Sequence, residues 1–219
     1  MWLVLFKYVL IGPLLRVLTR PVVTGLDNFP AEGPVVVAAN HLAVVDSLVI
    51  TLVLPRRITF LAKQEYFTGA GIRGRLQRWF FSSTGQVPID RRGGTAGESA
   101  LREAIAIVKG RGVWAIHPEG SRSPDGRLHR GRTGVMRVAL ATDAPVVPLA
   151  LTGTDRVNPR GKRLWRPSRV RVAVGSPLDL SRYCADRPGD VRMATDYLMI
   201  TLSQMSGQEY VNTYARQSD

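Results

Sequence analysis

Apolar runs bounded by turn signals alternate along this chain with segments whose apolar residues recur at helical spacing. Val35–Ala39, Ile58–Ala62, Gln86–Ile89, Val113–His117 and Pro145–Leu151 read as strands. Arg169–Val174 alternates Arg and Val and reads as a half-exposed strand. Leu42–Leu54 reads as a helix ended by Pro55, and Tyr66–Phe81 as a helix despite its glycines. The clearest helix carries Thr95 and Glu98 in a capping-box pattern, then Leu101, Ala104, Ile105 and Val108 on one face before Gly110. Val135–Thr142 is another helix. Val191, Ala194, Leu198, Leu202 and Met205 line one face of the last, which ends near Gly207. Repeated alternation of this kind predicts an α/β fold with a mostly parallel central sheet flanked by helices. Ligands in such folds bind beyond the carboxyl ends of the strands. Asn40-His41, Asp90-Arg91 and Pro118-Glu119-Gly120 each follow a strand end, so all three are expected on one edge of the sheet.

Residues 1–18 are apolar but interrupted by Lys7, by Gly12-Pro13 and by Arg16. A spanning helix needs roughly 20 apolar residues, so none is predicted here. No small-residue cleavage site follows, so no removed leader is expected. Trp2 and Tyr8 suit headgroup depth, and Lys7 and Arg16 can snorkel. Residues 1–20 are therefore expected to form an interfacial membrane-anchor helix, kinked near Pro13, ahead of a single domain over 21–219. The alternative is a helix packed on the protein's own core. Tyr66–Phe81 sets Phe67, Ile72, Leu76, Trp79, Phe80 and Phe81 among Arg73, Arg75 and Arg78. It is either a second membrane-facing surface or a basic amphipathic helix packed against the sheet.

The 219 residues are 45% hydrophobic, enough for a substantial core and unlike a disordered chain. The net charge is +13, from 30 basic and 17 acidic residues, and only Lys7, Lys63, Lys109 and Lys162 are lysines. Arginine grips phosphate with a planar fork, so this excess suits an anionic partner. Between Gly120 and Arg171 there are 12 basic and three acidic residues. That concentration points to nucleic acid, an anionic membrane surface or a phosphorylated ligand. Arg160, Lys162, Arg163, Arg166, Arg169 and Arg171, interleaved with Trp165, could hold a polyanion, but no recognisable nucleic-acid motif is formed. Cys184 stands alone, which excludes an internal disulfide and a thiolate metal site.

Two segments carry candidate chemistry. Asn40-His41-Leu42-Ala43-Val44-Val45-Asp46 offers a base with a carboxylate partner. On one continuous helix His41 and Asp46 would lie roughly 140° apart, a poor geometry for a hydrogen bond. His41 must then sit in a turn, with Asp46 reaching back from the start of the helix. A carboxylate on one ring nitrogen leaves the other free to take a proton. Taken alone, a His-x4-Asp pattern also fits a histidine bonded in a turn beside a helix-start charge. His117-Pro118-Glu119-Gly120-Ser121-Arg122-Ser123 has the form of an anion cradle, with a glycine turn, the Ser121 hydroxyl and the Arg122 fork. Glu119 could accept from a ligand hydroxyl or orient an arginine. No Ser or Cys occupies a nucleophile-elbow sequence, and His41, His117 and His129 are too sparse for a zinc site.

With these segments in order, the chain resembles the 1-acyl-sn-glycerol-3-phosphate (lysophosphatidate) acyltransferases. Asn40-His41 with Asp46 matches the His-x4-Asp block. Gly85 to Ile89-Asp90-Arg91 matches the second block, with Phe60-Leu61-Ala62-Lys63 upstream. Pro118-Glu119-Gly120-Ser121-Arg122-Ser123 matches the third and Val146-Val147-Pro148-Leu149 the fourth. The Arg-rich make-up and the tail Ser206-Gly207-Gln208-Glu209-Tyr210 look like actinobacterial members. The family usually has Phe or Tyr where this chain has His117, and more often Thr at position 121.

The resemblance implies an acyltransferase in which His41, oriented by Asp46, deprotonates the sn-2 hydroxyl of a lysophosphatidate. That hydroxyl then attacks an acyl thioester carried on coenzyme A or acyl-carrier protein. It further implies that Lys63, Arg91 and Arg122 hold the phosphate, that Glu119, Gly120 and Ser121 shape that pocket, and that Pro148 shapes the site without chemistry. The same base and grip would also serve glycerol 3-phosphate, another lysophospholipid or a glycolipid as acceptor. The alternative of another class is a non-catalytic basic module that binds a membrane or polyanion. No metal and no cofactor are implied beyond the thioester co-substrate, and no nucleic acid. The expected location is the cytoplasmic face of the cell membrane, as a peripheral or monotopic protein.

Overall fold

A sheet whose strands are apolar on both faces must be covered on both sides. In the computed structural model of the protein, the described residues are 7, 9, 11–83, 85–89, 96–162 and 164–215. Helix α1 is Gly12–Thr19 and strand β1 is Val22–Thr24. Then follow β2, Val35–Ala39, α2, Asp46–Val53, and β3, Ile58–Lys63. Helices α3, Glu65–Thr68, and α4, Gly71–Ser83, precede β4, Gln86–Ile89. Helix α5, Ala96–Lys109, leads into β5, Val113–Ile116. After a loop come β6, Leu128–His129, α6, Gly134–Thr142, β7, Val146–Thr152, and the one-turn α7, Thr154–Val157. Strand β8, Arg171–Val174, helix α8, Pro188–Ser206, and β9, Tyr210–Val211, complete the chain.

Among the described residues the main sheet has seven strands in the order β1-β8-β7-β2-β5-β3-β4. Strands β7, β2, β5, β3 and β4 run parallel, while β8 is antiparallel to β7. The fold is thus α/β with a mostly parallel sheet flanked by helices, as the alternation predicts. Side chains of β2 alternate between two cores, as the pleat requires. Val35, Val37 and Ala39 pack with Leu15 of α1, with Val49, Ile50 and Leu52 of α2, and with Val157 of α7. Val36 and Ala38 pack with Ala104 and Val108 of α5, Val135 and Val138 of α6, and Leu198 and Leu202 of α8. Helix α8 ends at Gly207, whose φ of 72° turns the chain away.

Some boundaries differ from expectation for local physical reasons. Helix α2 starts at Asp46 rather than Leu42, because the Leu42 and Ala43 N–H groups are bonded to the Asp46 carboxylate instead. Tyr66–Phe81 is divided between α3 and α4 at Gly69-Ala70. Gly74 packs directly on the Gly69 carbonyl, which leaves no room for a Cβ, and Gly71 takes a φ of 71°. Strand β8 begins two residues late, because the N–H groups of Ser168 and Val170 bond the Leu18 and Thr19 carbonyls at the end of α1. The expected Thr95 cap lies outside the described residues.

Helix α1 carries Pro13 in its first turn, where no intrahelical N–H is needed. Leu15 is buried, and Ile11 and Leu18 pack on the same core. Leu14 and Val17 point outward. Among the described residues no helix is long and apolar enough to cross a membrane.

Leu149 on β7 is fully buried in the first core. Leu149→Ala is expected to lower stability by about 2–5 kcal/mol, read as an earlier midpoint in urea unfolding.

Candidate active site

One side chain shapes the turn after β2. Asp46 is fully buried at the start of α2. Its Oδ2 accepts from the Leu42 N–H at 2.7 Å, the Ala43 N–H at 2.8 Å and His41 Nδ1 at 2.8 Å. A carboxylate has no proton to give, so Nδ1 carries the hydrogen and Nε2 is the acceptor nitrogen. The His41 side chain keeps 19% of its surface open while Asp46 keeps none. The pair therefore has a shielded carboxylate and a reachable imidazole. Such an imidazole can remove a proton from a hydroxyl, and the carboxylate then stabilises the imidazolium.

A second ring lies against the first. His117, just past β5, stacks on His41 with centroids 3.9 Å apart and planes 8° from parallel. Its Nδ1–H points at the Ala39 and Asn40 carbonyls, at 3.1 and 3.0 Å. Its Nε2 accepts from the Ser47 hydroxyl at 3.2 Å. Phe60 packs beyond it at 5.8 Å. Burial, and then the charge that His41 can carry, push the His117 pKa down to about 3. His117 is thus a flat, uncharged ring beside His41.

The same edge of the sheet brings in the loop after β5. Glu119 is buried, and its two oxygens accept from the N–H of His41 at 3.1 Å and of His129 at 3.0 Å. The Ser123 N–H donates to the His41 carbonyl at 2.7 Å. Both backbone polar groups of His41 are therefore bonded to the 119–123 loop. Burial pushes the Glu119 pKa up to about 7.

Gly120 has a φ of 77°, and a Cβ there would lie 2.9 Å from Arg132 Nε. Arg132 is held by its N–H on the Pro118 carbonyl at 2.8 Å and by the Tyr214 ring, 5.5 Å from its guanidinium carbon. Ser121 and Arg122 are partly exposed on the loop. Arg160 Nη1 donates to the Arg122 and Ser123 carbonyls at 3.4 and 3.3 Å. Lys63 ends β3 opposite Ile89 of β4, on this edge of the sheet, but its side chain is not among the described atoms. Arg91, with Asp90, lies outside the described residues. Pro148 is buried in β7 opposite Ala38.

The structure thus brings His41, Asp46 and Glu119 into direct contact, and Gly120, Ser121 and Arg122 lie on the loop that Glu119 and Ser123 bond to His41. Sequence reasoning did not single out Arg132, named Arg160 only within a basic stretch able to hold a polyanion, and named Gln208 only within the tail that resembles actinobacterial members. The contact of Gln208 with the site carries no sequence signal, because its partner Asn40 is 168 residues away.

The family model described as acyltransferase matches residues 20–152, which include the His41–Asp46 turn and the Glu119–Ser123 loop. The chain belongs to the acyltransferase family. This acyltransferase is 31% identical to a chloroplastic 1-acyl-sn-glycerol-3-phosphate acyltransferase of Brassica napus, over 71% of its own length and 44% of the relative's. It is 27% identical to 1-acyl-sn-glycerol-3-phosphate acyltransferase alpha of Mus musculus, over 84% of its length and 63% of the relative's. The chain therefore spans less than half the length of the Brassica relative. The crystal structure of the 1-acyl-sn-glycerophosphate acyltransferase PlsC from Thermotoga maritima shares its fold. The TM-score is 0.67 at 24% identity, covering 88% of this chain and 75% of that one.

Glu119 gives this acyltransferase a pH signature. A carboxyl whose folded pKa is raised to about 7 from 4.5 stabilises the fold most fully below its unfolded value. That contribution is lost as pH rises through 7, with a span on the order of 3 kcal/mol. Glu119→Gln removes the titration, so urea unfolding across pH 4.5–7.5 should show a flatter stability profile than the native chain.

Proposed function

We propose that the protein transfers an acyl chain from a thioester to the sn-2 hydroxyl of 1-acyl-sn-glycerol 3-phosphate, forming phosphatidic acid. The observation that carries this is the bonding of both His41 backbone groups to the loop that presents Arg122. A base and an anion grip on one rigid unit suit an acceptor with a hydroxyl beside a phosphate. The names of the relatives support the same acceptor.

His41 Nε2 takes the hydroxyl proton, and the alkoxide oxygen attacks the thioester carbonyl. The tetrahedral centre collapses, the C–S bond breaks, and the imidazolium returns its proton to the departing thiolate. Asp46 holds the Nδ1–H throughout. Base catalysis of this kind contributes about 10²–10⁴-fold. Arg122, with Lys63 and Arg91, grips the phosphate, and Gly120 and Ser121 line its pocket. Glu119 holds the loop to His41 through its two N–H contacts. The donor is an acyl-CoA or an acyl-carrier-protein thioester, since both present the same carbonyl. No metal or cofactor enters any step.

The enzyme works at the cytoplasmic face of the cell membrane as a peripheral protein. Leu14 and Val17 are exposed on the outer face of α1, whose end bonds Ser168 and Val170, and Leu164 and Trp165 are exposed in the loop that precedes those residues. Arg20, Lys162 and Arg166 are exposed in these segments. Helix α4 adds exposed Ile72 and Leu76 beside exposed Arg75 and Arg78. Apolar side chains among arginines fit an anionic leaflet.

A thiol-release assay with lysophosphatidate and a panel of acyl thioesters tests the chemistry. His41→Ala should abolish turnover, and Arg122→Ala should raise KM for the phosphate-bearing acceptor far more than for the thioester. Full turnover in the His41 variant, or a defect confined to the donor, would contradict these roles. For the surface, co-sedimentation with phosphatidylglycerol vesicles should exceed that with phosphatidylcholine. It should fall in a Val17→Asp, Leu164→Asp variant; equal binding by that variant would exclude the face.

A further inference from the structure

The last turn of α8 and the strand after it lie outside the matched family region, yet they reach the site. Gly207 ends the helix, and Gln208 then extends its amide between two loops. Gln208 Oε1 accepts from Asn40 Nδ2 at 2.6 Å. Gln208 Nε2 donates to the Gly126 carbonyl at 2.7 Å. Asn40 directly precedes His41, and Gly126 follows the Ser121–Ser123 cradle in the same loop.

Both neighbours are themselves fixed. Asn40 is fully buried; its Oδ1 accepts from the Leu151 N–H at 2.7 Å and its Nδ2 donates to the Leu151 carbonyl at 2.9 Å. Asn40 Nδ2 thus has a hydrogen left to give, and Gln208 Oε1 receives it. The Gly126 N–H donates to Ser123 Oγ at 2.9 Å, and the Ser123 N–H bonds the His41 carbonyl. The contacts close a ring through Asn40, His41, Ser123, Gly126 and Gln208. Gln208 is anchored in turn. Its carbonyl accepts from the Ser203 hydroxyl at 2.6 Å, and the neighbouring Glu209 carbonyl accepts from the Leu128 N–H at 2.9 Å.

Resting on the phosphate-bearing acceptor proposed above, we infer that Gln208 is a positioning residue that sets the spacing between His41 and the anion cradle, and so favours acceptors carrying a phosphate. A phosphate clamped in the cradle presents its hydroxyl to His41 only at the correct spacing. An acceptor without phosphate is not held by the cradle and is indifferent to that spacing. Misplacement by about 1 Å is enough to cost up to 10²-fold in rate.

The test compares lysophosphatidate with the matching monoacylglycerol, using one acyl thioester and the full chain. Gln208→Met keeps the side-chain length and removes both hydrogen bonds. Its kcat/KM for lysophosphatidate should fall about tenfold more than for monoacylglycerol, narrowing the preference between them. A role confined to stability lowers both values by the folded fraction alone, so an unchanged ratio overturns the inference. If the Met variant does not fold, Gln208→Glu is read the same way: it keeps the acceptor facing Asn40 and loses only the donor to Gly126. A native enzyme with no preference for lysophosphatidate would overturn the acceptor itself, and the inference with it. A native preference that survives in the variants overturns the inference alone.

Discussion

A buried carboxylate oxygen that accepts three hydrogen bonds organises this site. Taking a carboxylate out of water costs several kcal/mol unless donors replace the lost hydration. Asp46 Oδ2 recovers part of that hydration with two backbone N–H groups and the His41 ring, while the buried Oδ1 has no hydrogen-bond partner among the described residues. The turn at residues 41–43 cannot relax without unpairing it. The same bonds stop α2 from starting earlier, and they select the His41 tautomer whose free nitrogen can act on a hydroxyl. Helix start, turn shape and base chemistry are one event.

The groups around the pair are tuned by burial in opposite senses. Burial disfavours the charged form of each, which raises an acid and lowers a base. His117 is held uncharged beside His41, so no neighbouring imidazolium opposes proton uptake by the base. Glu119 lies deep enough for its pKa to approach neutrality, and its two oxygens serve as acceptors for two backbone N–H groups. The exposed charge of the site is left to the arginines of the loop. Polar groups that brace the site are inside, and cations that would meet an anionic ligand are outside.

Much of this was legible in the sequence where the signal is local. Apolar runs bounded by turn signals placed β2 and β4 to the residue, and the helical pattern placed the end of α8, because these signals are continuous along the chain. The His41–Asp46 geometry followed from helix pitch alone, since five residues cannot bond across a regular helix. Tyr66–Phe81 misled because glycine packing against backbone, which breaks it at Gly69-Ala70, leaves no mark in a hydrophobic pattern. Strand β1 and the antiparallel direction of β8 depend on pairing partners far away in sequence.

The sequence by itself determined the type of the longer elements, the shared sheet edge and the residues able to take up a proton or grip an anion. Each of these depends on side-chain chemistry and on spacing within a few residues. Only the tertiary structure decided that His117 stacks on His41, that Glu119 faces two N–H groups, and that Arg132 and Gln208 reach the loops of the site. Those contacts join residues from about 10 to more than 160 positions apart. They exist because parallel strands deliver separate loops to one edge, and no local periodicity encodes which loops will meet.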